Sequence, residues 1–224
     1  MVRKTLRYIF RALIALFLLS VLITLLYRFV PVPVTPLMII RYFELDEGKI
    51  EKDWTALEEI SPALPLAVVT AEDQKFAEHY GFDLEAIEKA MKYNARHKGK
   101  KMRGASTISQ QTAKNVFLWP GRSWVRKGLE VYFTFMIELL WSKERIMEVY
   151  LNVIEMGPGI YGAEAASRYY FDKPAIRMTR KEAATLAAIL PNPVRWSASS
   201  PTPYIIRKRN WILRRMGKMK WENR

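Results

Sequence analysis

From Ala12 to Tyr27 the chain reads ALIALFLLSVLITLLY, and no other stretch restricts the possible folds so strongly. Ser20 and Thr24 are its only polar interruptions. With Ile9, Phe10, Phe29 and Val30 the apolar span reaches about 20 residues, the length a helix needs to cross a bilayer. Arg11 and Arg28 flank it and can extend their charged heads to the two interfaces. A cleaved signal peptide would have a shorter apolar core and a small-residue cleavage site. None stands out before Pro31, so a retained anchor fits better. Arg3, Lys4, Arg7 and Arg11 precede the span and only Arg28 follows closely, which predicts a cytoplasmic N-terminus and a domain outside.

The remaining length has room for one domain, and half of the residues are hydrophobic, as a packed core requires. The organisation expected is an anchor over residues 1–30, a stiff proline-bearing stalk over 31–60 and a single domain over 61–224. The formal net charge is +14. Five basic residues and no acid lie in the first thirty positions, so nine positive charges remain on the rest. That excess predicts an anionic partner: nucleic acid, acidic lipid or a phosphorylated substrate. The absence of cysteine excludes disulfides and thiolate metal sites. Two histidines, His79 and His97, are too few for a histidine-based metal centre.

Helix signals dominate and strand-like alternation is scarce, so the domain is expected to be mainly α. Ser61-Pro62 reads as a helix start, with an apolar stripe through Leu64, Ala67, Val68 and Ala71 that runs up to Glu72. Asp83 caps a helix that continues to about Arg96, and a basic, glycine-bounded loop, HKGKKMRG, follows. Thr107-x-x-Gln110 and Thr179-x-x-Glu182 fit capping boxes. A helix from about Ser123 to Leu140 is rich in aromatics, and Ser142 caps another that ends at Asn152. A basic amphipathic helix covers about Tyr204–Met216.

Two stretches carry candidate chemistry. AEDQKFAEHYGFD (71–83) places the adjacent carboxylates Glu72 and Asp73 at the end of an apolar segment. Partial desolvation there would favour the neutral carboxyl and suit proton transfer. A lone glutamate at a helix end is ordinarily a surface residue, and His79 reads as structural; the company of Asp73, Phe76, His79, Gly81 and Asp83 just after Glu72 argues for a site. GASTISQQTAKN (104–115) opens a helix with Gly104, Ser106 and Thr107, whose free N–H groups and dipole suit an anion. Thr107, Gln110, Gln111 and Lys114 follow at i, i+3, i+4 and i+7. Such a stripe is usually a solvated face, yet these groups also suit sugar hydroxyls and phosphate oxygens. Arg122, Arg126 and Lys127 add cations. Arg126 and Glu130 form an i,i+4 pair that, if exposed, is worth a few tenths of a kcal/mol. Glu138 is assigned to the solvated side of the same apolar helix.

These stretches, with RKGLE (126–130), KERIMEVYLN (143–152) and YGAEAASRYYFDK (161–173), resemble the peptidoglycan glycosyltransferase family. The motifs occur in family order over roughly residues 60–205. The chain shows no transpeptidase segment before Arg224, so it is similar to the monofunctional biosynthetic transglycosylases. Ser109 stands where that family usually has Thr and keeps the hydroxyl. The resemblance implies a lysozyme-like, two-lobed, mainly α domain behind one transmembrane helix. It implies polymerisation of lipid II into β-1,4-linked glycan strands, with inversion and release of undecaprenyl diphosphate. Glu72 would be the catalytic base. Lys114, Arg122, Arg126 and Lys127 would stabilise the donor diphosphate, and Ser106, Gln110, Gln111 and Asn115 would contact the donor. Glu130 is a catalytic candidate that would orient the cations or hold a divalent cation, Mg or Mn. The implied partners are lipid II, the growing lipid-linked strand, the membrane and other cell-wall synthesis proteins, with no nucleic acid; the implied location is the inner (cytoplasmic) membrane.

Phe117-Leu-Trp119 and the basic tail (Arg207, Lys208, Arg209, Arg214, Arg215) either rest on the lipid surface or, respectively, fill the core and form a solvated face. Two other functional readings stand beside this one. A lysozyme-like hydrolase or lytic transglycosylase would need a protonated glutamate and no cationic cluster. A membrane-anchored binder of acidic ligands would bind with a steep salt dependence and without Glu72.

Overall fold

Capping chemistry decides where most of the helices begin. In the computed structural model, which describes residues 2–45, 49–97, 102–121 and 123–219, ten α-helices and three very short strands are placed among the described residues. Helix α1 (Val2–Phe29) contains the apolar run and is long and apolar enough to cross a membrane. Helix α2 (Pro36–Glu44) starts where Thr35 accepts the Met38 N–H, with Pro36 in the first turn. Helix α3 (Ala63–Glu72) follows, then α4 (Leu84–Arg96), capped by Asp83 on the Ala86 N–H. Helix α5 (Ile108–Phe117) and α9 (Arg180–Ile189) begin at the two expected capping boxes. Ser123 and Ser142 cap α6 (Trp124–Leu140) and α7 (Lys143–Val153). Helix α8 (Ala163–Phe171) and α10 (Pro203–Met216) complete the set.

The helices pack in two groups. Helix α3 lies on α9, α9 on α10, and α10 returns to α3; α5 lies against α6 and α7. These groups are the two lobes, joined by one continuous apolar core to which Val68, Ile108, Met147, Tyr150 and Leu186 contribute fully buried side chains. A small sheet in the order β1-β3-β2 closes one end: β1 (Glu51–Lys52) runs parallel to β3 (Ile160–Tyr161), and β2 (Glu155–Gly157) antiparallel to it.

Several local expectations are revised. Residues 31–60, read as a stalk, contain α2 and β1 and bury Val32, Met38 and Ile60 in the fold. Lys52 donates to the Val32 and Pro33 carbonyls, and Arg41 lies 3.2 Å from Glu155, so tertiary partners hold this stretch against the domain. Ser61 does not cap α3: its hydroxyl donates to the Met178 carbonyl, and its N–H to that of Ala175. Glu138 is not solvated, because Lys143 at the start of the next helix meets it at 2.7 Å in a buried pair. Phe117 stacks on Phe133 at 4.4 Å and is half-buried, Leu118 is buried, and Trp119 is exposed. Part of the basic loop, residues 98–101, lies outside the described residues.

The N-terminal apolar helix α1 is bonded to the domain. Arg145 donates to the Tyr27 carbonyl at 2.8 and 3.0 Å and to the Val30 carbonyl at 2.6 Å. Carbonyls at a helix C-terminus lack intrahelical partners, so a guanidinium there satisfies them and complements the dipole. Trp141 Nε1 donates to the Thr24 carbonyl at 2.8 Å, and the Ser20 and Tyr132 hydroxyls are bonded at 2.7 Å.

Candidate active site

Helix α3 is almost entirely core, with Leu64, Ala67 and Val68 fully buried, and its last residue is Glu72. That packing carries a carboxylate out of the apolar interior to the edge of a cleft of about 650 Å³. Asp73 ends the helix and turns inward. Its carboxylate accepts the Ile108 N–H at 3.0 Å, and His79 Nε2 lies 2.9 Å from it. An anion at the first turn of α5 answers that helix's dipole, so Asp73 pins the start of α5 beside the end of α3. The chain between them turns at Gly81 with φ 81°, where a Cβ would lie 2.7 Å from the Thr134 methyl. The Gly81 carbonyl accepts the Thr107 hydroxyl at 2.6 Å.

One turn into α5, Gln111 reaches across. Its Nε2 donates to Glu72 Oε2 at 3.0 Å, and its Oε1 lies 3.3 Å from the hydroxyl of the fully buried Tyr150. Gln110 points another way: it is buried in the capping box, where its Oε1 accepts the Thr107 N–H at 3.0 Å. Adjacent glutamines on a helix diverge by about 100°, which separates the two.

The candidate cations converge on a second cavity of about 410 Å³, lined by Ser106, Lys114, Asn115, Arg126, Lys127 and Glu130, with Leu37 of α2 at its edge. Glu130 is buried, and Arg126 and Lys127 engage its two oxygens at 2.8 and 2.5 Å. The Arg126 Nε is buried without a protein partner. Burial holds the Lys114 ammonium below its usual value; Glu130 opposes that effect, and Arg126 and Lys127 add to it. Three cations around one carboxylate leave a net positive cavity suited to an anion. Ser106 lines both cavities, so the carboxylate cleft and the cation pocket share a wall. Arg122 lies outside the described residues.

Lys208 was placed with the basic tail, but it lines the Glu72 cleft. Burial lowers its ammonium, and the nearby Glu72 works in the opposite direction. The signal was available in the helical period. Ile205 and Ile212 are fully buried, and Lys208 sits three residues after the first, on the same face.

The transglycosylase family model matches residues 40–217. A biosynthetic peptidoglycan transglycosylase of Bdellovibrio bacteriovorus is 57% identical over 218 residues, covering 95% of this chain and 86% of the relative. One of Bacteroides thetaiotaomicron is 54% identical over 219 residues, covering 96% and 88%. One of Pseudomonas entomophila is 51% identical over 223 residues, covering 98% and 94%.

Proposed function

This chain belongs to the transglycosylase family and is a peptidoglycan glycosyltransferase; from that premise we propose that Glu72 is its base and the Lys114 pocket its diphosphate site. The substrate is lipid II together with the growing lipid-linked strand. Glu72 Oε2 is held by Gln111, which leaves Oε1 to take the proton from the acceptor sugar hydroxyl. The hydroxyl oxygen then bonds to the anomeric carbon of the donor while the bond from that carbon to the diphosphate oxygen breaks. The electron pair leaves with the diphosphate, and Lys114, Arg126 and Lys127 meet the developing charge. A single displacement with one base inverts the anomeric centre and gives a β-1,4 linkage. Undecaprenyl diphosphate leaves.

Glu130 orients the cations. A Mg or Mn site built by the protein alone does not fit, because both Glu130 oxygens are engaged and, among the described residues, no second carboxylate lines that cavity. Helix α1 anchors the enzyme in the cytoplasmic membrane with its N-terminus inside, which keeps the cleft near the lipid surface and the prenyl chains out of water. Ser106 and Asn115, which line the cation pocket, contact the donor.

The observation that carries this reading is the wall shared by the two cavities, since one sugar diphosphate must face base and cations together. Labelled lipid II is the test. Chain growth by the enzyme and none by Glu72→Gln supports the reading, and soluble muropeptides released from finished sacculi would replace it with cleavage.

A further inference from the structure

A base has to be held as well as placed, and the group that holds Glu72 is an amide with two unlike ends. An ionised carboxylate only accepts hydrogen bonds, whereas a glutamine side chain donates through nitrogen and accepts through oxygen. Gln111 therefore supports the ionised base only when Nε2 faces Glu72, as it does at 3.0 Å. With the amide reversed, a carbonyl oxygen would face the carboxylate and favour its protonated form.

What sets the orientation lies behind Gln111, on the other side of the cleft wall. Tyr150 of α7 is fully buried, and its hydroxyl donates to Gln111 Oε1 at 3.3 Å. Resting on the assignment of Glu72 as the base, we propose that Tyr150 is a positioning residue. Its phenol proton fixes the Gln111 amide so that nitrogen faces Glu72 and keeps that carboxylate ready to accept a proton. Burial, and then Glu72 and Asp73, push the Tyr150 phenol well above its ordinary value, so it stays a donor throughout the working pH range. A donor on the amide oxygen also polarises the amide and strengthens the bond that its nitrogen donates.

Other charges face Glu72. Lys208 approaches from α10, and Asp73 follows in the chain with His79 bonded to it. Lys75, Asp83 and Lys89 lie further along the cleft. All of them remain when the Tyr150 hydroxyl is removed, so a changed pH profile reports on the Tyr150–Gln111 link.

The experiment measures initial rates of labelled lipid II polymerisation against pH for full-length Tyr150→Phe, Gln111→Met and the double variant, with thermal unfolding as the control for folding. Tyr150→Phe should keep its KM, lose roughly threefold to tenfold in kcat, the worth of one neutral hydrogen bond, and move the acidic limb to higher pH. Gln111→Met, which leaves Tyr150 in place, should move that limb in the same direction, and adding Tyr150→Phe to it should change nothing further. A Tyr150→Phe profile that superimposes on the wild type overturns the proposal, as does an unshifted limb in Gln111→Met or an undiminished loss in the double variant. An inactive Glu72→Gln beside a normal Tyr150→Phe removes only the role of Tyr150. An active Glu72→Gln removes the base assignment itself.

Discussion

Replacing Glu130 by Gln should destabilise the resting enzyme by an amount that a diphosphate can give back. Glu130 is 4% exposed and is bonded to both Arg126 and Lys127. The Arg126 side chain is 11% exposed, so it would be left as a buried cation without its counter-ion, a loss of about 3–5 kcal/mol in comparable pairs. The Lys127 side chain is 40% exposed, and its ammonium can turn to water, so that half adds little. The retained amide oxygen still accepts one hydrogen bond, which puts the expected loss near the lower limit, about 3 kcal/mol. For a domain of this size that is a drop in Tm of about 6–12 °C. Without Glu130 the Lys114 ammonium also loses the one neighbour that counters its burial, so it gives up its proton at lower pH than in the wild type. The assay is thermal unfolding of the detergent-purified full chain with and without inorganic diphosphate. The anion should stabilise Glu130→Gln more than the wild type, because it supplies the missing negative charge. A Tm within about 2 °C of the wild type, or equal stabilisation of the two proteins by diphosphate, would refute the reasoning.

Lys208→Met should slow polymerisation, because it removes a cation from the wall of the Glu72 cleft, and Lys208→Arg should restore the rate. Since burial lowers the Lys208 ammonium, its charge disappears as pH rises through that lowered value, so Lys208→Arg should also extend activity on the alkaline side; pH–rate curves identical in all three proteins would contradict this. Arg145→Ala should loosen α1 against the domain, since the half-buried Tyr27 carbonyl loses its donor at a cost of about 1–2 kcal/mol, while that of exposed Val30 can turn to water. Spin-label distance distributions between α1 and α7 should broaden, and an unchanged width would count against Arg145 as the tie between them.

What was legible in the sequence was mostly local. Thr107, Thr179, Asp83, Ser123 and Ser142 cap their helices through residues three positions away, so each signal sits inside one short window. Arg126, Lys127 and Glu130 meet for the same reason, on one helix. The bond between Glu72 and Gln111 spans 39 residues, as does that between Gln111 and Tyr150, and no periodicity reports either. Glu138 defeated the local argument because its partner, Lys143, belongs to the next helix. Helix α2 was hidden differently. Thr35-Pro36 is a good helix start, but the prolines before it read as a stiff linker, and Arg41 finds Glu155 far along the chain. Lys208 was recoverable from its spacing to Ile205 and Ile212, and the density of basic residues around it obscured that spacing.

The most direct measurement compares Glu72→Gln with the wild type on labelled lipid II, following chain growth and, in the same preparation, the protection against unfolding given by inorganic diphosphate. A proton acceptor separate from the anion pocket predicts no glycan strands and unchanged protection. Strands formed at a near-normal rate would contradict that division of labour.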